Sequence, residues 1–117
     1  MNKVKIGFSG IGLMGYPMAK NLLKSKYKVK VFNRTKNKAL KLKKFGAEVC
    51  NSLKEVVSDR DLIITMLSDD KAIKKIYFNS EFLKNLKVGS TVIDMSSANP
   101  KTAINLSRLL KKKKLIF

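Results

Sequence analysis

The chain has 117 residues, of which 44% are hydrophobic, and its 26 Lys and Arg against 8 Asp and Glu give a formal net charge of +18. This length and apolar content predict one folded domain with its own core and exclude a disordered tail. One cysteine and no histidine exclude an internal disulfide, a zinc site and histidine-dependent catalysis within these residues. No apolar run is long enough to span a membrane and no secretory leader is evident, so we expect a cytoplasmic protein without a membrane partner.

The positive charge comes mainly from lysine, which is spread over the whole chain, whereas arginine occurs only at positions 34, 60 and 108. Arginine binds bases and phosphates through two parallel hydrogen bonds, which lysine cannot form. A dispersed lysine excess therefore favours a solvated surface over a nucleic-acid interface. We therefore expect no nucleic-acid partner. A general positive field would still attract an anionic cofactor or an acidic substrate.

The first strand pattern, over residues 4–8, leads directly into a G-x-G-x-x-G sequence, and an apolar helix pattern follows. In this context the glycines predict the strand, turn and helix start of a dinucleotide-binding unit. The first glycine allows the tight turn, the second lets the backbone approach a diphosphate, and the third lets the helix pack close to the strand. The N–H groups at the helix start would hold the diphosphate. The predicted contact residues here are Gly10, Ile11, Gly12, Leu13, Met14 and Gly15.

A second alternating strand, over residues 27–32, ends at Asn33-Arg34-Thr35. NAD-type units carry Asp or Glu near this position to bind the ribose 2′-hydroxyl. A carboxylate would repel a 2′-phosphate, whereas an amide, a guanidinium and a hydroxyl can each contact one. The three residues therefore favour NADP over NAD, with Lys36 and Lys38 as auxiliary charges. Asn33 or Thr35 can also serve as the cap of the next helix, and the two roles are compatible.

The middle of the chain predicts a helix with apolar positions between residues 39 and 45, ended by Gly46, and a short strand over residues 47–50. Cys50 is interpreted as a small, partly buried residue at that strand's end. A further helix follows Ser52, with Glu55 at the spacing of a capping box. Residues 62–67 form the most continuously apolar run, and we expect this fourth strand at the centre of a parallel sheet.

Asp69 and Asp70 follow the fourth strand and have two interpretations. They are either a paired-carboxylate site or the first turn of a helix carrying Ala72, Ile73, Ile76 and Tyr77, and the helix is favoured. A short helix ending near Gly89 and a fifth strand over residues 90–95 come next. A helix from residue 101 to about residue 110 then follows Pro100, and residues 115–117 start a sixth strand.

With these residues in hand, the chain resembles the N-terminal domain of the β-hydroxyacid dehydrogenase family, which includes 3-hydroxyisobutyrate dehydrogenase and the glyoxylate/succinic semialdehyde reductases. Residues 7–22, G-F-S-G-I-G-L-M-G-Y-P-M-A-K-N-L, match the family's opening signature far beyond the bare glycines. The resemblance implies that Met66, Leu67 and Ser68 lie against the cofactor. It also implies that Ser97, in a D-x-S-[ST]-x-x-P motif over residues 94–100, approaches the nicotinamide.

The resemblance covers the whole chain, with two departures. Ser9 stands where the family has an apolar residue, which would bury a hydroxyl. The family's glycine-rich substrate loop and catalytic lysine lie beyond Phe117, so we assign no catalytic residue in this chain. The fold expected is α/β, a doubly wound Rossmann-type parallel sheet truncated at the sixth strand. Residues 1–117 would form the NADP-binding domain, with a C-terminal helical domain absent from this fragment.

Three functions follow from these observations. The first is the NADP-binding half of an oxidoreductase that transfers a hydride between nicotinamide and a small hydroxy acid or its semialdehyde. That enzyme would oligomerise through the missing domain, and this chain alone would be inactive. A 6-phosphogluconate dehydrogenase-like domain is the related alternative. The second is a standalone, non-catalytic NADP-binding module, and the third, based on charge alone, is a nucleic-acid-binding domain.

Overall fold

Strands and helices alternate along the described chain, which comprises residues 4–67, 70–77 and 79–95 of a computed structural model. In chain order the elements are β1 (Lys5–Ser9), α1 (Gly15–Lys24), β2 (Lys28–Phe32), α2 (Lys36–Leu40), a 3₁₀ turn (Lys43–Phe45), β3 (Glu48–Val49), α3 (Leu53–Val57), β4 (Leu62–Thr65), α4 (Asp70–Tyr77), α5 (Ser80–Asn85) and β5 (Thr91–Asp94). The five strands form one parallel sheet in the order β3-β2-β1-β4-β5. The α/β fold with a Rossmann-type parallel sheet is thereby confirmed.

The strand order places β1 at the middle of the sheet, with β4 between β1 and β5. The prediction that the fourth strand is central is therefore correct only in that β4 is an interior strand. Both strands are buried along most of their length on both faces, because helices cover each face of a parallel sheet. β4 is almost entirely apolar, whereas β1 buries Gly7 and Ser9 beside Ile6 and Phe8, so apolar content favoured β4 although β1 is the middle strand.

The two faces of the sheet carry separate hydrophobic clusters. Residues from α1 and α2 pack with β1 and β2 on one face. Residues from α3, α4 and α5 pack with β4 and β5 on the other. Helices change face where the chain passes from β3 at one edge to β4 on the far side of β1, as doubly wound connections require. This change of direction creates a crevice between β1 and β4.

The helix predicted over residues 39–45 is in fact two short pieces, α2 and the 3₁₀ turn, and Leu40 is 42% exposed. Successive helical residues are rotated by about 100°, so Leu40 faces outward once Ala39 and Leu42 are buried. Gly46, with a φ of 100°, ends the segment as predicted.

The helix caps differ in part from the prediction. Ser52 Oγ accepts from the Glu55 N–H at 3.2 Å, as in a capping box, but Glu55 Oε2 accepts from the Asn51 N–H, one residue before the cap. Asn79 caps α5 by accepting from the N–H groups of Glu81 and Phe82, which the sequence analysis missed.

Charged side chains join three segments at the amino edge of the sheet. Lys5 Nζ lies 2.8 Å from Asp59 Oδ2, and Lys87 Nζ lies 2.9 Å from Asp61 Oδ1. Asp61 Oδ2 also accepts from the Lys5 backbone N–H at 2.9 Å. This backbone hydrogen bond and the Lys87 ammonium hold the pKa of Asp61 below its usual range. Some of the excess lysine therefore ties β1 to the loops that precede β4 and β5.

Cys50 is buried directly after β3, as predicted, and burial raises the pKa of its thiol to about 11, with the Glu48 carboxylate adding to the shift. With this pKa, about one thiol in a thousand would be ionised at pH 8, and the ionised thiolate is the reactive form. We expect a colorimetric disulfide reagent to label the folded chain at least ~100-fold more slowly than the chain in guanidinium. Equal labelling rates in the two conditions would contradict the burial of this side chain.

Candidate dinucleotide-binding site

A cleft of about 560 Å³ opens where β1, β2 and β4 end at the carboxyl edge of the sheet. This is the switch point of the strand order, where open α/β sheets bind ligands. Seven of the predicted site residues line the cleft together: Gly10, Gly12, Asn33, Arg34, Thr35, Met66 and Leu67. Ile11, Leu13, Met14 and Gly15 belong to the same turn but do not line it, and Ser68 and Ser97 lie outside the described residues.

The glycines of the turn have three different surroundings. Gly10 has a φ of 102°, and a Cβ placed on it would lie 2.0 Å from the Met66 carbonyl oxygen. A Cβ on Gly15 would lie 2.0 Å from the Gly10 carbonyl oxygen, so the start of α1 packs directly on the turn. A Cβ on Gly12 would meet no protein atom within 4 Å, although Gly12 lines the cleft. Gly12 therefore leaves space that a ligand can occupy, whereas the other two glycines permit packing within the protein.

Helix α1 begins beside this turn without a side-chain cap. Met14 occupies the N-cap position and makes no side-chain capping hydrogen bond, and the first turn contains no acidic residue. The Tyr16 N–H donates to the Gly12 carbonyl at 3.0 Å and Pro17 has no N–H, so what this helix start offers is a positive dipole end that no side chain of its own neutralises. Such a helix end suits an anion, and the open side of Gly12 gives a diphosphate room to approach it.

The apolar residues of the turn point in opposite directions. Ile11 is 1% exposed and belongs to the core, and its N–H donates to Asn33 Oδ1 at 2.9 Å. Leu13 and Met14 are 93% and 64% exposed. Ile11 thus supports the turn from within, while Leu13 and Met14 present their side chains to solvent beside the helix start.

The segment after β2 supplies the polar wall of the cleft. Asn33 donates from Nδ2 to the Thr35 carbonyl, and Thr35 occupies the N-cap of α2 without a side-chain capping hydrogen bond. Thr35, one of the two predicted cap residues, therefore stands at the N-cap position, but neither Thr35 nor Asn33 makes a side-chain capping hydrogen bond, and the Asn33 amide bonds to other backbone groups instead. Arg34 is exposed on the cleft wall and forms no ion pair with any acidic residue of the described chain.

The two lysines proposed as auxiliary charges separate in the structure. Lys38 lines the cleft, whereas Lys36 donates to Asn51 Oδ1 and does not line it. Lys36 and Lys38 are two residues apart on α2, so they point in directions about 200° apart around the helix.

The sequence analysis missed the wall formed by α3 and α4. Its cleft-lining residues are Leu53 from α3 and Ala72, Lys75 and Ile76 from α4, and Asn79, the cap of α5, lies beside them. The signal was available in part, because helices that follow strands at a switch point flank the ligand crevice, but their order in the sequence does not show which side chains face it. With Arg34 and Lys38, Lys75 gives the cleft three cations, and no carboxylate of the described side chains lines it. The cleft therefore suits an anionic ligand.

The remaining wall is apolar, with Phe32 from β2, Leu53 from α3, Met66 and Leu67 after β4, and Ile76 from α4. Apolar walls with a few convergent polar groups are typical of sites for ring-containing cofactors. Ser9 is buried at the end of β1 and also lines the cleft, so the departure from the family pattern lies at the site itself.

The carboxyl ends of β4 and β5 are joined beside this cleft. Thr65 Oγ1 donates to Asp94 Oδ1 at 2.8 Å, and the Met95 N–H donates to the Thr65 carbonyl at 2.8 Å. Asp94 begins the motif that contains Ser97. The tie fixes the strand end from which this motif continues beyond the described residues.

Comparison with known proteins gives the same identification. The family model described as the NAD-binding domain of 6-phosphogluconate dehydrogenase matches residues 5–117. Glyoxylate/succinic semialdehyde reductase 1 of Arabidopsis thaliana is 37% identical over 108 residues, which cover 92% of this chain and 37% of the reductase. Mitochondrial 3-hydroxyisobutyrate dehydrogenase of Mus musculus is 34% identical over 117 residues, which cover 99% of this chain and 35% of the dehydrogenase.

Among solved structures, Mycobacterium tuberculosis 3-hydroxyisobutyrate dehydrogenase with L-serine superposes with a TM-score of 0.90 at 26% identity. The match covers 97% of this chain and 38% of that protein. The chain thus spans little more than a third of each of these relatives. It belongs to the family of NAD-binding domains of 6-phosphogluconate dehydrogenase, and within that family it is similar to the dinucleotide-binding domains of 3-hydroxyisobutyrate dehydrogenases and semialdehyde reductases.

Proposed function

We propose that the chain is the NADP-binding part of an oxidoreductase that acts on a small hydroxy acid or its semialdehyde. The observation that carries the choice of NADP is Arg34, which stands on the cleft wall after β2 without an acidic partner among the described residues. A 2′-phosphate beside Arg34, Thr35 and Lys38 would complete charge-assisted hydrogen bonds that a 2′-hydroxyl cannot. The names of the relatives support the substrate class.

The residues present fit such a cofactor along its length. Gly12 and the uncapped start of α1 would hold the diphosphate, with Gly10, Ile11, Leu13, Met14 and Gly15 forming the turn around it. The apolar wall, which includes Met66 and Leu67, would pack against the rings, and we propose Ser68 as a further contact to the cofactor and Ser97 for the nicotinamide end. When bound, the cofactor supplies the hydride chemistry, and this domain supplies position and electrostatic attraction.

Several sequence predictions stay predictions on this proposal. The catalytic lysine implied by the family resemblance would come from residues beyond this chain, so we expect no turnover from the chain alone. Assembly into an oligomer through those residues and a cytoplasmic location also stay predictions. In the described part of the chain, no helix is both long enough and apolar enough to cross a membrane.

A standalone binding module is the second candidate, because the cleft-lining side chains among the described residues offer cations and apolar surface but no carboxylate or thiol for acid–base work. The tie between Thr65 and Asp94 favours the enzyme, since it fixes the strand end that leads to the nicotinamide-end motif. Hydride transfer by the chain joined to its downstream residues would decide between the two.

Calorimetric titration of the 117-residue chain with NADPH and NADH tests the proposal. We expect NADPH to bind roughly ten- to hundredfold more tightly, since a hydrogen bond to a charged group contributes about 1.5–3 kcal/mol. Equal affinities would contradict the role of Arg34, and binding of neither would contradict a dinucleotide site.

The high net charge makes a charge-matched control necessary, because any polyanion is attracted to such a surface. The pair 2′,5′-ADP and 3′,5′-ADP carries the same charge and differs only in the position of one phosphate. At about 150 mM salt, where exposed charges are screened beyond roughly 8 Å, we expect a preference for 2′,5′-ADP. Equal binding of the two isomers would identify the attraction as non-specific.

A further inference from the structure

One side chain connects the two loops on which the proposed cofactor contacts stand. Asn33 follows β2 directly, and its Oδ1 accepts from the Ile11 N–H at 2.9 Å across 22 residues of sequence. Its Nδ2 donates to the Thr35 carbonyl at 2.8 Å. Next to it, the Gly10 N–H donates to the Phe32 carbonyl at 3.1 Å. Two adjacent hydrogen bonds thus join the glycine turn to the end of β2 and the residue after it, and Asn33 supplies one of them while its other bond, to Thr35, holds its own segment.

The two bonds of Asn33 need an acceptor and a donor on the same short side chain. An amide provides both, whereas a carboxylate provides only acceptors and would face the Thr35 carbonyl without a proton to donate. Alanine reaches neither partner. Asn33, which is half-buried, therefore uses both its amide oxygen as an acceptor and its amide nitrogen as a donor.

The bonds also determine which groups are left for a ligand. The Ile11 N–H is occupied by Asn33, so it is not available to a ligand at the open side of Gly12. The bond to the Thr35 carbonyl spans Arg34, so it restrains the backbone from which the guanidinium projects. An exposed arginine that must meet a phosphate loses less freedom on binding when its backbone is already held.

We propose that Asn33 is a positioning residue that sets the preference for a 2′-phosphate through Arg34, by fixing the segment after β2 to the glycine turn. The inference rests on the proposed dinucleotide-binding function and deepens it. Asn33 acts within the protein, through the backbone groups of Ile11 and Thr35, and the 2′-phosphate is contacted by its neighbours. Asn33 then favours a 2′-phosphate in two ways. It avoids the repulsion that a carboxylate would cause, and its amide donates the hydrogen bond that holds the Thr35 carbonyl.

A double-mutant cycle tests this role against direct contact with the ligand. The ratio of NADH to NADPH dissociation constants would be measured for the 117-residue chain, Asn33→Ala, Arg34→Ala and the double variant. We expect Asn33→Ala to lower the ratio at least fivefold when Arg34 is present and by less than twofold when it is absent. Equal reductions in both backgrounds would overturn the proposal, because Asn33 would then contact the phosphate independently of Arg34. Asn85→Ala, which removes an amide from α5 away from the cleft, should leave the ratio unchanged.

Amide hydrogen exchange of the ligand-free chain gives a readout that does not depend on binding. We expect exchange at the Ile11 N–H to be at least tenfold faster in Asn33→Ala and to stay slow in Asn33→Asp, whose carboxylate still accepts from it. The aspartate variant retains this bond and therefore keeps the test available where the alanine variant does not fold. Unchanged exchange in the alanine variant would overturn the proposal. Failure of the unsubstituted chain to bind either nucleotide would instead contradict the proposed function and leave the exchange result to judge the role of Asn33.

Discussion

Replacement of Arg34 by alanine is expected to weaken NADPH binding by about 1.5–3 kcal/mol, roughly ten- to hundredfold, while NADH affinity changes little. The reason is that the guanidinium stands on the cleft wall without an acidic partner in the described chain, so its hydrogen-bonding capacity is free for a phosphate. A 2′-hydroxyl carries no charge and gains much less from the same side chain. Titration of the variant with both reduced cofactors measures the effect.

Lys41→Ala is the matched control, because it removes one positive charge from an exposed side chain just after α2 that does not line the cleft. It should leave both affinities within about twofold, since exposed charges interact weakly at physiological salt. If Lys41→Ala weakened NADPH binding as much as Arg34→Ala, the preference would reflect total charge and the assignment of Arg34 would be wrong.

We expect Gly12→Ala to weaken cofactor binding and Gly15→Ala to lower the stability of the fold. At Gly12 the added methyl meets no protein atom within 4 Å, so the free energy of unfolding should change by less than about 0.5 kcal/mol. The methyl would occupy the space proposed for the diphosphate, and the resulting overlap should weaken both NADPH and NADH by at least about 1–3 kcal/mol. At Gly15 the methyl would lie 2.0 Å from the Gly10 carbonyl oxygen, so α1 must shift and the fold should lose about 3 kcal/mol or more.

Chemical denaturation and calorimetric titration of both variants separate these effects. The expected pattern is a stable Gly12→Ala chain that binds poorly and an unstable Gly15→Ala chain. Full cofactor affinity in Gly12→Ala would mean that the diphosphate does not approach this part of the turn. Unaltered stability in Gly15→Ala would contradict the close packing of α1 on the glycine turn.

The sequence predicted those parts of the fold that local patterns determine. The glycine turn, the helix after it and the strands on either side follow from residue spacing, because a turn with a φ of 102° and a backbone contact at Gly15 both require glycine. The end of β2 was also predictable, since the alternation stops at Asn33. The middle position of β1 was not, because β1 buries a glycine and a serine and therefore has a less apolar sequence than β4, although both strands are buried.

The site was predicted on the side formed by the glycine turn and β2, and it was missed on the side formed by α3 and α4. Lys75 is exposed and Leu53 is half-buried, and their places in the sequence do not show that they face a ligand. Only the packing of their helices across the sheet brings them to the cleft. The dual hydrogen bonding of Asn33 was equally hidden, because its partner Ile11 lies 22 positions away and takes part through its backbone. Side-chain identity carries no information about such a partner.

Through the start of α1, the proposed cofactor would also affect the stability of the protein and its resistance to proteases. A side chain at position 14 would find no donor to cap, because the Tyr16 N–H already donates to the Gly12 carbonyl at 3.0 Å and Pro17 has no N–H, so the positive dipole end stays open to an anion. A bound diphosphate would take the place of that missing cap, so cofactor binding and folding are linked. A free cofactor concentration of a hundred times Kd would raise the free energy of unfolding by about 2.7 kcal/mol. The unfolded fraction exposed to proteases would then fall as the supply of dinucleotide rises, and the amount of protein in a cell would follow the nucleotide that it binds.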